Sequence, residues 1–345
     1  MSDIGILAVD FELPEGLLTN VELESRFGAE GLRTTLAAAG IRNRRVAPPN
    51  VCASDLAFSA ANRILNIGGV SRNDVDLLIF CTQSPDCLVP ATACILHDRL
   101  KLSKQCAAFD LNLGCSQYIY GLAVAISMLK SGFATLALVL TGDTLTRQVN
   151  PGDRSIVALM GDAGSATLLG PVGKDEGFLG FELGTDGAGH GHLIVPAGGA
   201  RLPASPKTAV EKTDTEGNIR SERNLHMNGI AMFHFSISMI PKVITTLLRR
   251  MFVKFEEVDL FLFHQAGKYV LECLLERLQI PIEKTHLFFE DVGNTSGSSI
   301  PLLVCDAFRA GKIRPGMLIV LAGFGAGLSW GATLIRWPSD TRLSQ

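Results

Sequence analysis

Leu113-Gly114-Cys115-Ser116-Gln117-Tyr118-Ile119-Tyr120-Gly121-Leu122-Ala123-Val124-Ala125-Ile126 is an apolar run that opens on a cysteine, and it has a counterpart far down the chain. Cys115 stands 17 positions before Gly132, and Asn294 stands 17 positions before Gly311, each glycine closing an apolar segment. A glycine just past such a segment is a helix stop. The spacing therefore predicts two helices of matching length, one opened by a thiol and the other by an amide. A helix start presents unpaired N–H groups and the positive end of the macrodipole, which predicts a Cys115 thiol that ionises more readily than in water. A cysteine that merely fills space is the plainer reading of the same residue.

The repetition extends outward. Val75-Asp76-Leu77-Leu78-Ile79-Phe80-Cys81-Thr82-Gln83 matches Val258-Asp259-Leu260-Phe261-Leu262-Phe263-His264-Gln265-Ala266 in its apolar core, and each reads as a buried strand. After Gly132 comes Ala134-Thr135-Leu136-Ala137-Leu138-Val139-Leu140, and after Gly311 comes Met317-Leu318-Ile319-Val320-Leu321; Ser165-Ala166-Thr167-Leu168-Leu169 then answers Gly331-Ala332-Thr333-Leu334-Ile335. Strand, helix, strand, strand recurs in one order. This predicts a layered α/β fold of two halves, 1–174 with the cysteine and 175–345 with His264 and Asn294. A pseudo-twofold between the halves brings Cys115 and Asn294 toward one site, and His264 lies at the C-terminal edge of its strand, where α/β sheets hold ligands. Singly, His264 reads as a structural histidine and Asn294 as a helix cap; together with the thiol they read as a catalytic constellation.

Composition fits this picture. Of 345 residues 47% are hydrophobic and 19% charged, enough for a large core. A net charge of −3 with scattered basic residues excludes a nucleic-acid footprint, and Arg42, Arg44 and Arg45 read as a solvated edge. The eight cysteines show no Cys-x-x-Cys pair and no zinc spacing, which predicts reduced thiols, no metal and a cytoplasmic protein. No basic leader precedes the short N-terminal apolar stretch. The run Met317–Ile335 is interrupted by Gly323, Gly325, Gly327 and Gly331, so it predicts two buried strands around a glycine loop instead of a membrane span.

Gly114-Cys115-Ser116, His264-Gln265-Ala266, Gly293-Asn294-Thr295-Ser296 with Pro301, and Gly323-Phe324-Gly325-Ala326-Gly327-Leu328-Ser329-Trp330-Gly331-Ala332 resemble the β-ketoacyl-acyl-carrier-protein synthase III family of the thiolase-like superfamily. The likeness runs nearly the whole chain, through Gly40-Ile41-Arg42, Asn150-Pro151-Gly152-Asp153-Arg154 and Gly161-Asp162-Ala163-Gly164. The resemblance implies a duplicated α-β-α-β-α fold and a Cys-His-Asn site. Cys115 then takes an acyl group from acyl-CoA or an acyl-carrier protein, with the N–H groups of Cys115 and Ala326 as oxyanion hole. His264 and Asn294 stabilise the enolate formed as malonyl-carrier protein loses carbon dioxide. It also implies a homodimer with a continuous sheet, no cofactor and no membrane, and Phe324 stands where degradative thiolases carry a second cysteine.

Departures from the family pattern concern the substrate. Thr34-Thr35-Leu36-Ala37-Ala38-Ala39 replaces the Trp and Arg that clasp coenzyme A, leaving Arg154 as the matching basic contact. Gly267 and Tyr269 replace an Asn and the Arg that docks the carrier protein, with Lys268, Arg249, Arg250 and Lys254 as basic substitutes. Gln117 and Ala326 replace glycines, the latter at the cost of strain if its φ is positive. Val89 replaces a Phe that closes the primer pocket across the dimer. These changes predict a specialised synthase with a longer or bulkier acyl primer, outside housekeeping fatty-acid initiation and toward secondary metabolism or a dedicated acyl chain. The competing readings are an acyltransferase passing the Cys115-bound group to an alcohol or amine, a papain-like cysteine hydrolase with the same Cys, His, Asn order, and a non-catalytic synthase subunit.

Overall fold

A computed structural model describes residues 3–343. The chain opens with β1 (Asp3–Glu12) and a ribbon of β2 (Gly16–Thr19) and β3 (Asn43–Val46), whose connection holds α1 (Asn20–Phe27) and α2 (Ala29–Ala39). There follow α3 (Ala53–Gly68), β4 (Leu77–Cys81), α4 (Thr92–Arg99), β5 (Ala107–Leu111), α5 (Gln117–Lys130), β6 (Ala137–Asp143), α6 (Arg154–Val157) and β7 (Ala163–Val172). After β8 (Gly177–Thr185) a connecting region holds four two-residue strands, β9 (Leu193–Ile194), β10 (Lys212–Thr213), β11 (Ile219–Arg220) and β12 (His226–Met227). Then come α7 (Gly229–Arg250), β13 (Leu260–Phe263), α8 (Lys268–Leu278), α9 (Ser299–Arg309), β14 (Leu318–Gly325), β15 (Ser329–Arg336) and β16 (Arg342–Leu343).

One sheet has the order β16-β1-β7-β6-β4-β5 and the other β13-β14-β15-β8. The pairings repeat: β4 is parallel to β6 as β13 is to β14, and β6 is antiparallel to β7 as β14 is to β15. Strand alternation sorts the core into layers. Leu77 and Ile79 of β4, with Leu260 and Leu262 of β13, face a middle layer that contains α5 and α9. Leu78 and Phe80 turn outward onto α3 and α4, and Phe261 and Phe263 turn outward onto α7 and α8. The fold is thus the thiolase-like α-β-α-β-α sandwich.

The two central helices are not identical. Residues 296–298 form a 3-10 turn before the 11-residue α9, whereas α5 is α-helical for all 14 residues. Turn and helix together begin two residues after Asn294, as α5 begins two residues after Cys115. Gly297 and the serines around it are weak helix formers, which explains the tightened first turn. Pro301 falls early in α9, where its missing N–H is tolerated.

Arg44 corrects the expectation of a solvated edge. Arg42 is exposed, but Arg44 is fully buried. Its Nε donates to Ala158 O (2.7 Å), Nη1 to Asn20 Oδ1 (2.5 Å) and Nη2 to Ile41 O (3.3 Å). Burial lowers its pKa to about 10, so it remains charged at neutral pH. The basic cluster is split because one side chain pins a chain crossing.

The halves are joined by backbone at the site itself. Asn294 N–H donates to Leu159 O (2.8 Å), and Gly161 N–H donates to Asn294 O (3.0 Å). A Cβ on Gly161 would lie 2.0 Å from Val292 O, so only glycine permits this approach. Gly161→Ala is therefore expected to destabilise the protein by about 1–3 kcal/mol, measured by urea unfolding.

Candidate active site

Cys115 lies in the tight connection between β5 and α5, with Ser116 as the helix cap. Its sulfur meets the glycine loop between β14 and β15: a Cβ on Gly325 would stand 3.0 Å from Cys115 Sγ. That loop is tied down by Ser329, whose hydroxyl donates to Ala326 O (2.7 Å) and also bonds the Ser116 hydroxyl (2.7 Å). The positive φ of the loop falls on Gly327, at 141°, and Ala326 is free of it. The alanine at this position therefore carries no left-handed strain.

The thiol departs from expectation. Burial pushes the Cys115 pKa up to about 12; a hydrogen bond from Sγ to Ser296 Oγ (3.9 Å) lowers it and the charge of Asp143 raises it further. The cost of placing a thiolate among apolar neighbours exceeds the effect of a nearby helix start. Cys115 is thus a neutral thiol at physiological pH.

His264 immediately follows β13, its N–H bonded to Ala322 O (2.8 Å). Its ring stands edge-on to Phe324, with centroids 5.5 Å apart, and Nδ1 lies 2.7 Å from Ser299 Oγ. Burial lowers its pKa to about 3, opposed by a backbone hydrogen bond with Ser296, so the imidazole is neutral at physiological pH. Asn294 is buried, and its Oδ1 accepts from Ser296 N–H (3.0 Å).

All three residues open onto one cavity of about 510 Å³. Its walls come from α2, α7, α8 and the end of β14, and are largely apolar; Phe233 and Tyr269 stack with ring centroids 5.2 Å apart. A more open groove of about 730 Å³ near Leu17, Pro48 and Arg147 contains none of the three.

The other residues singled out from sequence lie elsewhere. Arg154 Nη2 donates to Glu216 O (2.7 Å), Lys268 pairs with Glu272 (3.8 Å) beside Gly40, and Val89 is highly exposed; none lines the cavity. Thr35, Ala38 and Ala39 do line it. Sequence reading gave no role to Asp143, Ser296 or Ser299, which stand around Cys115 and His264. Asp143 carried one signal, an acid closing a largely apolar strand.

Such a fold and site define a thiolase-like condensing enzyme. Residues 109–187 match the family model for 3-oxoacyl-[acyl-carrier-protein (ACP)] synthase III, and residues 248–337 match the model for its C-terminal part. β-Ketoacyl-[acyl-carrier-protein] synthase III of Symbiobacterium thermophilum is 37% identical, covering 97% of this chain and 98% of that relative. A crystal structure of 3-oxoacyl-(acyl-carrier-protein) synthase III superposes with a TM-score of 0.94 at 38% identity, covering 97% of this chain and 100% of that one. The priming β-ketosynthase of the R1128 polyketide biosynthetic pathway superposes at 0.85 with 25% identity, covering 98% and 97%. The chain belongs to the β-ketoacyl-acyl-carrier-protein synthase III family. It is an acyl-transferring condensing enzyme of the kind that uses acyl-CoA and malonyl-carrier-protein substrates, and this sets aside the hydrolase, simple acyltransferase and non-catalytic readings.

Because burial holds the His264 pKa far below the range of solution histidines, its ring resonances are expected not to titrate between about pH 5 and about pH 9. Histidine-selective NMR, assigned with a His264→Gln variant, checks this.

Proposed function

We propose that Cys115 carries the acyl primer, that His264 and Asn294 act on the extender, and that the primer is longer or bulkier than acetyl. The shared cavity carries this reading: thiol, imidazole and amide open onto one chamber of about 510 Å³. The Cys115 sulfur attacks the primer thioester, and the N–H groups of Cys115 and Ala326 receive the oxyanion. The extender then loses carbon dioxide. With Asn294 Oδ1 already accepting from Ser296 N–H, its NH₂ is left to donate to the enolate oxygen beside a neutral His264. The enolate carbon attacks the acyl group and expels the sulfur. These groups need no metal or organic cofactor.

The specialised primer is supported by the walls. No Lys or Arg is among the described residues that line the cavity, while Ile230, Met232, Phe233 and Tyr269 supply an apolar approach. An acyl group gains from such a surface, whereas the phosphates of coenzyme A gain nothing from it. Delivery by an acidic carrier protein fits the exposed Lys268 at the start of α8, between the cavity residues Gly267 and Tyr269. Pairing of two β5 edges into a homodimer fits both the unpaired edge of the first sheet and the exposed Leu88 and Val89, which would be covered by the partner. We place this cytoplasmic enzyme outside housekeeping fatty-acid initiation, toward a dedicated acyl chain such as a polyketide starter.

Incubation with a panel of acyl-CoAs and acyl-carrier proteins is expected to load Cys115 preferentially with medium-chain or branched groups, read by intact-protein mass spectrometry. Rapid loading from acetyl-CoA alone would overturn the specialised primer. Cys115→Ala should abolish loading. His264→Ala and Asn294→Ala should retain it while slowing carbon dioxide release from malonyl-carrier protein by roughly a hundredfold to a thousandfold.

A further inference from the structure

Beside Cys115, outside the cavity lining, lies a buried polar chain that the roles above leave unused. Asp143 closes β6 and is fully buried. Its Oδ1 accepts from Gln83 N–H (2.8 Å) and Thr82 Oγ1 (3.4 Å), and its Oδ2 accepts from Gln117 Nε2 (2.9 Å). The Ser296–Ser298 turn packs against β6, and the Ser296 hydroxyl is close enough to this carboxyl group to lower its pKa. Ser296 Oγ in turn accepts from the Cys115 thiol at 3.9 Å. Ser296 is held at φ 53° with its N–H on Asn294 Oδ1, which keeps its hydroxyl beside the sulfur.

Every hydrogen bond to Asp143 comes from a neutral group. Burial pushes its pKa up to about 6, although the donors from Gln83, Ser296, Gln117 and Thr82 all lower it. The titratable groups around it are the Cys81 thiol on β4 and Cys115, both raised by its charge, while His264 faces the cavity with its pKa down at about 3. Of the two groups near the nucleophile able to act as a base, the carboxylate has the greater hold on a proton.

Given Cys115 as nucleophile, we infer that Asp143, acting through the Ser296 hydroxyl, stores the thiol proton while the acyl group is on the enzyme. In loading, the S–H proton moves to Ser296 Oγ as the Ser296 proton moves to Asp143. The sulfur pair forms the new C–S bond, and the donor's C–S bond breaks, its thiolate taking a proton from solvent. In condensation, the malonyl carboxylate leaves as carbon dioxide and the enolate pair forms the C–C bond. Cys115 departs as thiolate and recovers the proton from Asp143 through Ser296. Gln117, standing where the family usually has glycine, sets the level of this store by donating to the ionised carboxylate. Its side chain fills the space over Gly297, where an added Cβ would stand 2.1 Å from Nε2.

The test is single-turnover loading of the full-length protein by octanoyl-N-acetylcysteamine, a donor that needs neither a nucleotide nor a carrier-protein grip, from about pH 5 to about pH 9. Wild-type loading should rise as Asp143 ionises, through about pH 6, and then level off. Asp143→Asn and Ser296→Ala should lose this rise and load about a hundredfold more slowly at neutral pH. Gln117→Met should keep the rise but move it to higher pH. Since the asparagine variant is exposed to misfolding, Ser296→Ala, a one-atom deletion, carries the same test, with circular dichroism confirming the fold of each. Loading by Asp143→Asn and Ser296→Ala with the wild-type rate and pH dependence overturns the proton store alone. Failure of the wild type to load at Cys115 overturns the nucleophile reading as well.

Discussion

The backbone bridge between Leu159–Gly161 and Asn294 is the constraint on which the site depends. It fixes Asn294 against the first half of the chain. Asn294 then orients the turn into α9 through its bond to Ser296 N–H, and α9 presents Ser299 to His264. One backbone contact thus reaches the amide, the hydroxyl beside the thiol and the imidazole. Arg44 stiffens the same crossing by binding Ala158 O while its stem packs at Gly293. A buried guanidinium costs stability unless its donors are met, and here the oxygens that meet them belong to segments that must stay in register.

The fold was legible where it rests on periodicity. Apolar strands, glycine helix stops and their repetition at equal spacing define both halves, and those halves bring Cys115, His264 and Asn294 together. What escaped is set by tertiary surroundings. The protonation of Cys115 depends on how much water its sulfur loses, which no local pattern records. Arg44 looks in sequence like Arg42 and Arg45, and only the chain crossing above it decides that it is buried. Asp143 is a single acid at a strand end, its meaning given by hydrogen-bond donors 26 to 61 residues away in sequence. The contribution of α7 was hidden for another reason: it follows a stretch of two-residue strands without hydrophobic period, and its start is marked only by the Asn228 cap.

The chamber also shows a division of labour between its surfaces. Side chains from α7 and α8 determine shape, while the segments around Cys115 and Asn294, drawn from the repeated part of the fold, supply the thiol and the amide. Wall residues such as Ile230 and Phe233 can therefore diverge without moving the chemistry.

The start of α5 and the turn into α9 approach this chamber from opposite halves of the molecule, two residues after Cys115 and Asn294. Their amide ends direct fractional positive charge, spread over backbone, toward the chamber, and no Lys or Arg is among the described residues that line it. A carboxylate entering it is attracted without being locked into a tight ion pair. Such a diffuse welcome suits a group that must shed its charge as neutral gas, because a strong counter-ion would stabilise the carboxylate and hold back the bond that has to break.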